Sequence, residues 1–94
     1  MTGPTEPFDL QVSASAARTI QHKLPEAVAA AVVEFITGTL LKNPHRVGKA
    51  LRYELDGIRS ARRGAFRVLY EIDEARREVV VLRVDHRADV YRPR

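Results

Sequence analysis

Cysteine is absent from the chain, which excludes a disulfide framework, a cysteine-ligated zinc site and a thiol nucleophile. The three histidines are scattered, so an all-histidine metal site is not expected either. Apolar runs are short: the longest lies within residues 27–36, about half of the ~20 residues that a membrane span needs. Residues 1–7 lack the basic-then-apolar pattern of a secretion signal. These absences predict a soluble, cytoplasmic protein with no membrane partner.

The length and the apolar content predict one domain. The chain has 94 residues, of which 45% are hydrophobic, and this is enough for a single thin core. No repeat, low-complexity tract or internal boundary interrupts the sequence. We therefore expect one domain over residues 1–94, with residues 1–7 disordered.

Positive charge is concentrated in one segment of the chain. Overall, 16 basic residues face 12 acidic ones, which gives a net charge of +4. Residues 42–67 hold eight of the basic residues and two acids, whereas residues 1–41 are net acidic and residues 68–94 are balanced. Charge clustered in this way is typical of a protein that binds a phosphate-bearing partner. A solvated, arginine-rich surface without such a partner is the alternative.

The amino-terminal part of the chain predicts a strand followed by a helix. Residues 8–12 alternate between apolar and polar side chains, as in a strand with one buried face. Ser13 or Ser15 can cap the helix, because a serine hydroxyl accepts a hydrogen bond from an unpaired amide of the first turn. The helix is expected to run to about Lys23.

A proline and a glycine delimit a second predicted helix. Pro25 breaks the first helix and suits the first turn of the next one. Gly38 is the expected end, although Leu40 and Leu41 could extend the helix past it. The polar, basic stretch over residues 43–57 then follows, and at this length it is a candidate functional loop.

The remainder of the chain has the pattern of strands. Gly64 and Ala65 fit a tight hairpin turn, in which the glycine supplies the positive φ. Residues 66–73 alternate, which predicts the second strand of the hairpin. Residues 79–84 are nearly all apolar, as expected for a strand covered on both faces or nearly so.

The hairpin register brings two arginines together. With a two-residue loop, Arg62 pairs with Arg67, and directly paired residues share a sheet face, here together with Leu69. The side chains expected on the other face, beneath the helices, are Phe66, Val68, Tyr70 and Ile72. Like charges that face each other destabilise a sheet, so a bound phosphate would compensate them. The alternatives are that both arginines extend into water or pair with Glu71.

A second polar cluster, with the sequence HRADVYR, follows the apolar strand at residues 86–92. A histidine and a tyrosine could transfer protons there, and the arginines could stabilise charge on a phosphorus centre. The alternative is that the tyrosine packs against a helix and the histidine is an ordinary surface residue. A glycine-rich phosphate loop, paired carboxylates and an aromatic stripe for RNA stacking are absent from the sequence.

These motifs together resemble the RelE/ParE toxin superfamily, and within it the RelE-type toxins of type II toxin–antitoxin systems. The resemblance begins at NPHRVGK over residues 43–49 and continues through SARRG at 60–64, FRVLY at 66–70 and the tail at 86–92. In element order it covers nearly the whole chain from residue 8. It implies an α+β fold, in which a small antiparallel sheet of about four strands has an N-terminal helical hairpin packed on one face.

The resemblance also implies an activity. RelE-type toxins are metal-independent endoribonucleases that cleave mRNA in the ribosomal A site, where the substrate 2′-hydroxyl attacks the adjacent phosphate. The implied partners are a small cognate antitoxin, mRNA and ribosomal RNA, with operator DNA contacted only through the antitoxin complex, and no cofactor is implied. Two alternatives stay open: a ParE-like inhibitor of DNA gyrase without nuclease activity, and a non-catalytic nucleic-acid-binding module.

Carried over by position, the resemblance implies a catalytic group and an RNA-binding group. The catalytic group is Arg62, Arg67, His86, Arg87 and Tyr91. The RNA-binding group is Lys49, Arg52, Arg59 and Arg63. The two hairpin arginines would hold the scissile phosphate, Arg87 would stabilise developing charge, and Tyr91 would stack on a base or transfer a proton, with His86 as a second acid–base candidate. The chain departs from the family at Ser60, where many RelE-type toxins have a basic residue, so the identity of the general base is left open.

Overall fold

A computed structural model describes residues 6–50 and 57–86, which form a sheet with helices on one face. The strands are β1 (Asp9–Val12), β2 (Lys49–Ala50), β3 (Arg59–Arg63), β4 (Phe66–Asp73) and β5 (Glu78–His86). The helices are α1 (Ala14–Arg18), α2 (Glu26–Phe35) and α3 (Pro44–Val47). A π-helical turn extends each of the first two helices, over Thr19–Lys23 and Ile36–Leu40. The expected α+β class is confirmed.

Local sequence signals explain most of the helical hairpin. The Ser13 hydroxyl accepts a hydrogen bond from the amide of Ala16 at 3.0 Å, so Ser13 and not Ser15 caps α1. Pro25 separates the two helices as expected, and it lies at the N-cap of α2, one residue before the first turn. The helix does not end at Gly38, because the chain continues helically to the fully buried Leu40. Within residues 6–50 and 57–86, no helix is long and apolar enough to cross a bilayer.

The sheet has the strand order β1-β5-β4-β3-β2. The hairpin between β3 and β4 has the predicted register, with Arg62 opposite Arg67 and a positive φ of 54° at Gly64. All neighbouring strands are antiparallel except β1 and β5, which are parallel. The parallel pair is possible because the helices and strands β2–β4 lie between β1 and β5 in the chain, which allows the long crossover that parallel pairing needs.

Three expectations about the sheet and the segment that leads into it were wrong. It has five described strands and not about four, and one pairing is parallel. The polar stretch over residues 43–57 was expected to be a long loop, but it contains α3 and β2. A two-residue strand and a four-residue helix are too short to show periodicity, so the sequence pattern could not reveal them.

The core lies between the helices and one face of the sheet. Val32 and Leu40 from the helical layer and Val68 and Tyr70 from β4 are fully buried. The ring centroid of Phe35 lies 6.1 Å from that of Phe66, in a tilted arrangement. The face predicted for β4 is therefore confirmed.

Strand β5 is covered on one face and not on both. Val79, Val81 and Val84 are buried in the core, whereas Val80 and Leu82 on the other side are half-buried. A register shift opposite Leu69 and Tyr70 places Leu82 outside the ladder as a β-bulge. The apolar run of residues 79–84 therefore predicted more coverage of the open side of this strand than the structure has.

The expected disorder of residues 1–7 concerns mostly residues outside the described part of the chain. Glu6 and Pro7 are described, and the backbone carbonyl of Glu6 accepts a hydrogen bond from Nη2 of Arg77 at 2.6 Å. Phe8 is buried, its amide donates to the carbonyl of Leu41 at 2.9 Å, and the Arg77 guanidinium lies 4.2 Å from its ring centroid. The chain is thus anchored just before β1.

Candidate functional site

The face of the sheet that α1–α3 leave uncovered, here called the open face, carries a group of polar and charged side chains near the β3–β4 hairpin. Because directly paired residues share a face, the strand registers identify its members. We call the group the open-face cluster, and it consists of Lys49, Ser60, Arg62, Arg67, Arg83 and Asp85. Four of these six residues are cations.

The open-face cluster forms two adjacent rows across the strands. One row runs from Lys49 through Ser60 and Leu69 to Arg83, and the next contains Arg62, Arg67 and Asp85. Diagonal neighbours in such rows have side chains that begin roughly 7–8 Å apart. Lys49 is therefore a diagonal neighbour of Arg62, and Arg83 of Arg67, so the cations flank the central arginine pair on both sides.

Arg62 and Arg67 are the centre of this group. Both are exposed, and their side chains begin about 4.5–5.5 Å apart, as in any directly opposed antiparallel pair. Among the described residues, neither arginine makes an ion pair, and neither pairs with Glu71. Two uncompensated guanidinium groups side by side can hold one phosphate between them, since each presents planar N–H donors.

Arg83 and Asp85 belong to the site but were not predicted from the sequence. The Arg83 guanidinium donates through Nε to Oδ1 of Asp85 at 2.8 Å, and Asp85 stands directly opposite Arg67. The signal that could have found Arg83 is its charge within an otherwise apolar strand. Its face could not be read from alternation, because the β-bulge at Leu82 breaks the two-residue period.

Three predicted site residues, His86, Arg63 and Arg59, lie on the helix-covered face instead. His86 is 8% exposed and pairs with Phe66, so the structure does not bring it together with Arg62 and Arg67. The Arg63 guanidinium lies 4.7 Å from the ring centroid of Phe35, in a cation–π contact on the side of the helices. Arg63 also borders a groove of about 830 Å³ between α2 and the hairpin.

Arg59 is engaged by the backbone. Its Nη2 donates to the carbonyls of His45 at 2.8 Å and Gly48 at 3.0 Å, and its side chain belongs to the face of Tyr70, the residue opposite it. The Tyr70 hydroxyl donates to the carbonyl of Pro44 at 2.6 Å. Burial raises the pKa of Tyr70, while the nearby Arg59 guanidinium acts in the opposite direction. In this arrangement Arg59 supports the chain beside the site and does not point into it.

Three predicted site residues lie outside the part of the chain that the structure describes. Arg52 falls in residues 51–56, and Arg87 and Tyr91 fall in residues 87–94. Of the remaining predicted residues, Lys49, Arg62 and Arg67 lie together on the open face.

Comparison with known proteins identifies the family. The family model described as the ParE toxin of the type II toxin–antitoxin system, parDE, matches residues 12–91. The chain belongs to the RelE/ParE toxin family. The Toxin RelG of Mycobacterium tuberculosis is 55% identical over 86 residues, which cover 92% of this chain and 98% of that protein. The Toxin RelE of the same organism is 49% identical over 86 residues, or 92% and 88% of the two chains.

The fold of this chain also matches that of a relative in a solved structure. The toxin–antitoxin complex RelBE2 from Mycobacterium tuberculosis contains a chain that matches with a TM-score of 0.83 and 54% identity, covering 88% of this chain and 94% of that one. The resemblance of the sequence to type II toxins is therefore confirmed. The matched segment contains all of the open-face cluster, so the basic open face is part of the family domain.

Proposed function

We propose that this chain is a type II toxin that cleaves mRNA on the ribosome and thereby inhibits translation and growth. The observation that carries the proposal is the direct pairing of Arg62 with Arg67 on a sheet face that α1–α3 leave uncovered. The relatives named RelG and RelE, at 55% and 49% identity, support the assignment to the RelE-type branch.

The arginine pair is suited to a phosphate of the RNA backbone. Directly opposed like charges cost a sheet stability unless an anion lies between them. A phosphate would remove this cost and would accept paired hydrogen bonds from each guanidinium. Asp85 stands opposite Arg67, but its carboxylate is bonded to Arg83, so among the described residues Arg67 keeps its donors for a ligand.

The proposed reaction uses the substrate's own nucleophile. The 2′-oxygen forms a bond to the adjacent phosphorus while its proton passes to a base. The bond from phosphorus to the 5′-oxygen then breaks, and this oxygen takes up a proton, which leaves a 2′,3′-cyclic phosphate and a 5′-hydroxyl. Negative charge grows on the non-bridging oxygens as the fifth bond to phosphorus forms, and Arg62 and Arg67 stabilise it. No metal ion takes part in the proposed reaction.

The remaining predicted residues are assigned to charge stabilisation, proton transfer and binding of the RNA outside the scissile phosphate. Arg87 stabilises developing charge and Tyr91 transfers a proton or stacks on a base, as the resemblance implies. Because His86 faces the helices, Tyr91 is the first candidate for proton transfer. The RNA-binding residues in the proposal are Lys49 on the open face, together with Arg52 and, at the hairpin, Arg63.

The proposed partners follow from the same assignment. The relative of known structure was solved as a toxin–antitoxin complex, and we propose that a small cognate antitoxin also neutralises this chain by covering the open face. The bound RNA is mRNA in the ribosomal A site, with ribosomal RNA beside it, and the site of action is the cytoplasm. Operator DNA is contacted only through the antitoxin.

Inhibition of DNA gyrase is the second candidate function. The matching family model is described as a ParE toxin, which favours it. Such a protein would bind its target without cutting RNA, and the basic open face would serve as a docking surface. Induced expression separates the two candidates, since a gyrase inhibitor causes DNA damage and a nuclease causes translation arrest with cut transcripts.

The deciding experiment is cleavage on purified ribosomes. The toxin, separated from its antitoxin, is added to ribosomes programmed with a defined mRNA, and the RNA ends are mapped by primer extension. We expect cuts inside the A-site codon and cyclic phosphate at the new 3′ ends. Intact mRNA, despite binding of the protein to the ribosome, would overturn the nuclease assignment and leave a non-catalytic nucleic-acid-binding protein.

A further inference from the structure

Within residues 6–50 and 57–86, strand β2 has two residues and pairs with β3 alone, so it needs support from outside the ladder. It follows α3 after a single residue, Gly48. A four-residue helix cannot pair the carbonyls of its last turn internally, so these carbonyls need other donors. The position of Lys49, the first residue of β2, depends on how this connection is held.

Arg59 and Tyr70 supply the missing donors. Nη2 of Arg59 bonds the carbonyls of His45 and Gly48, and the hydroxyl of Tyr70 bonds the carbonyl of Pro44 at 2.6 Å. The two donors come from β3 and β4, which pair directly at this point. We call this arrangement the carbonyl clamp, consisting of Arg59 and Tyr70 with the carbonyls of Pro44, His45 and Gly48.

The clamp is partly buried and closely packed at Tyr70 and Gly48. Tyr70 is fully buried, and Nε of Arg59 is buried without a hydrogen-bond partner among the described residues. A Cβ atom added to Gly48 would collide with the Tyr70 hydroxyl and lie 2.9 Å from the carbonyl oxygen of Ser60. The connection therefore passes directly against the sheet.

The clamp fixes which way Lys49 points. Gly48 is clamped, and the next residue, Lys49, pairs with Ser60 on the open face, diagonal to Arg62. A slip of one residue in β2 would turn the lysine to the opposite face. Two ladder positions alone specify this register weakly.

We propose that Arg59 and Tyr70 are positioning residues, which hold Lys49 on the open face so that its ammonium group contacts a phosphate of the bound RNA beside the Arg62–Arg67 pair. The inference rests on the proposed function for its RNA partner. It gives Arg59 a role in the site through Lys49 and not as a phosphate ligand itself.

The first test concerns the clamp alone and needs no RNA. Tyr70→Phe removes the hydroxyl and keeps the ring, and Arg59→Lys keeps the charge but removes the planar guanidinium whose Nη2 donates to both carbonyls. In both variants we expect faster hydrogen exchange at the β2 amide that donates to β3, since only one of two successive residues faces the partner strand. Val79→Ala, a core change on β5, is the control for general loss of stability and should not act selectively there. Unchanged exchange at β2 in both clamp variants would overturn the inference whatever the activity.

The second test links the clamp to Lys49 by a double-mutant cycle. Binding is measured to ribosomes carrying an mRNA with a 2′-O-methyl group at the scissile nucleotide, which cannot be cut. Lys49→Ala should weaken binding about two- to fivefold, as for one partly exposed charge contact, and lower the salt slope by about one. Tyr70→Phe should give part of the same loss, and no further loss when Lys49 is already alanine.

The outcomes separate this inference from the proposed function. Additive effects of Tyr70→Phe and Lys49→Ala, or an unchanged salt slope in Lys49→Ala, would overturn the positioning role while cleavage by the wild type stands. In the cleavage assay, we expect the clamp variants to raise KM and leave kcat nearly unchanged. If the wild type neither binds nor cuts on ribosomes, the proposed function fails, and the role of Lys49 fails with it.

Discussion

His86 of β5 stands directly opposite Phe66 of β4, and this pairing places the histidine on the helix-covered face, away from Arg67. The preceding residue, Asp85, stands opposite Arg67 on the open face, and the next residue along the strand therefore lies on the other face. Arg83, three residues earlier in the chain, lies on the open face, so His86 and Arg83 are on opposite faces of the sheet. Its role is expected to be packing and not proton transfer.

His86→Ala should therefore cost stability more than chemistry. Removing a side chain that is 8% exposed is expected to lower the free energy of unfolding by about 1–3 kcal/mol, which urea titration measures. His86→Phe, which fills the space but cannot transfer a proton, should keep single-turnover cleavage within a fewfold of the wild type. A large rate loss in a stably folded His86→Phe would restore the histidine as an acid or base.

Arg67→Ala should remove much of the proposed catalysis. The loss of one preorganised donor to developing charge typically costs about 10²–10³-fold in kcat, and we expect this range for Arg62→Ala as well. Single-turnover cleavage of ribosome-bound mRNA measures it. Arg76→Ala is the matched control, since Arg76 is an exposed cation on the β4–β5 turn whose 4.0 Å contact with Asp73 is remote from the pair. Equal activity in all three variants would place the active site elsewhere.

Metal independence can be tested at the scissile phosphate without removing the Mg²⁺ that ribosomes need. A phosphorothioate at this position should slow cleavage, because sulfur accepts hydrogen bonds from guanidinium more weakly than oxygen does. Thiophilic Cd²⁺ or Mn²⁺ should give no recovery if arginines and not a metal ion contact that atom. Recovery by Cd²⁺ would show a direct metal contact and contradict the proposal.

Two glycines should respond to alanine with opposite signs. Gly48→Ala forces a Cβ against the Tyr70 hydroxyl and the Ser60 carbonyl, and overpacking of this kind costs about 1–3 kcal/mol of unfolding free energy. Gly38→Ala meets no atom within 4 Å in its helical turn, so it should stabilise by about 0.5–1 kcal/mol. Thermal and urea unfolding of both variants measure the difference. A Gly48→Ala variant as stable as the wild type would show that the close approach at Tyr70 is not maintained in solution.

Tyr70 should make the protein less stable in alkali. Burial raises the pKa of Tyr70 above its ordinary value of 10.0. As the pH rises past about 10, the tyrosine ionises in the unfolded chain but keeps its proton in the native one. The native state then binds more protons, so the free energy of unfolding falls with pH until native Tyr70 also ionises. Below that window this group contributes no pH dependence.

Comparison of the wild type with Tyr70→Phe isolates this contribution. Urea unfolding of both proteins between about pH 9 and 11 includes the same lysines and other tyrosines, so their effects cancel in the difference. We expect the stability gap between the two proteins to shrink as the pH rises. A gap that stays constant over this range would mean that the Tyr70 pKa is not raised by folding.

The sequence alone determined the parts of this protein that depend on local pattern. The serine cap of α1, the proline before α2, the turn at Gly64 and the pairing of Arg62 with Arg67 all follow from residues close together in the chain. Local backbone preference and the two-residue period of a strand are enough to specify them. The motifs also sufficed to indicate the toxin family, which the comparisons confirmed.

Only the tertiary structure decided which of the predicted site residues lie together. A β-bulge at Leu82 shifts the faces of β5, so Arg83 and Asp85 join the open face while His86 joins the core. Strand β2 has too few residues for any periodic signal, and its place beside β3 depends on donors from Arg59 and Tyr70, which are remote in sequence from α3. Faces, bulges and buried hydrogen bonds arise from pairing between distant segments, and a one-dimensional pattern does not contain that information.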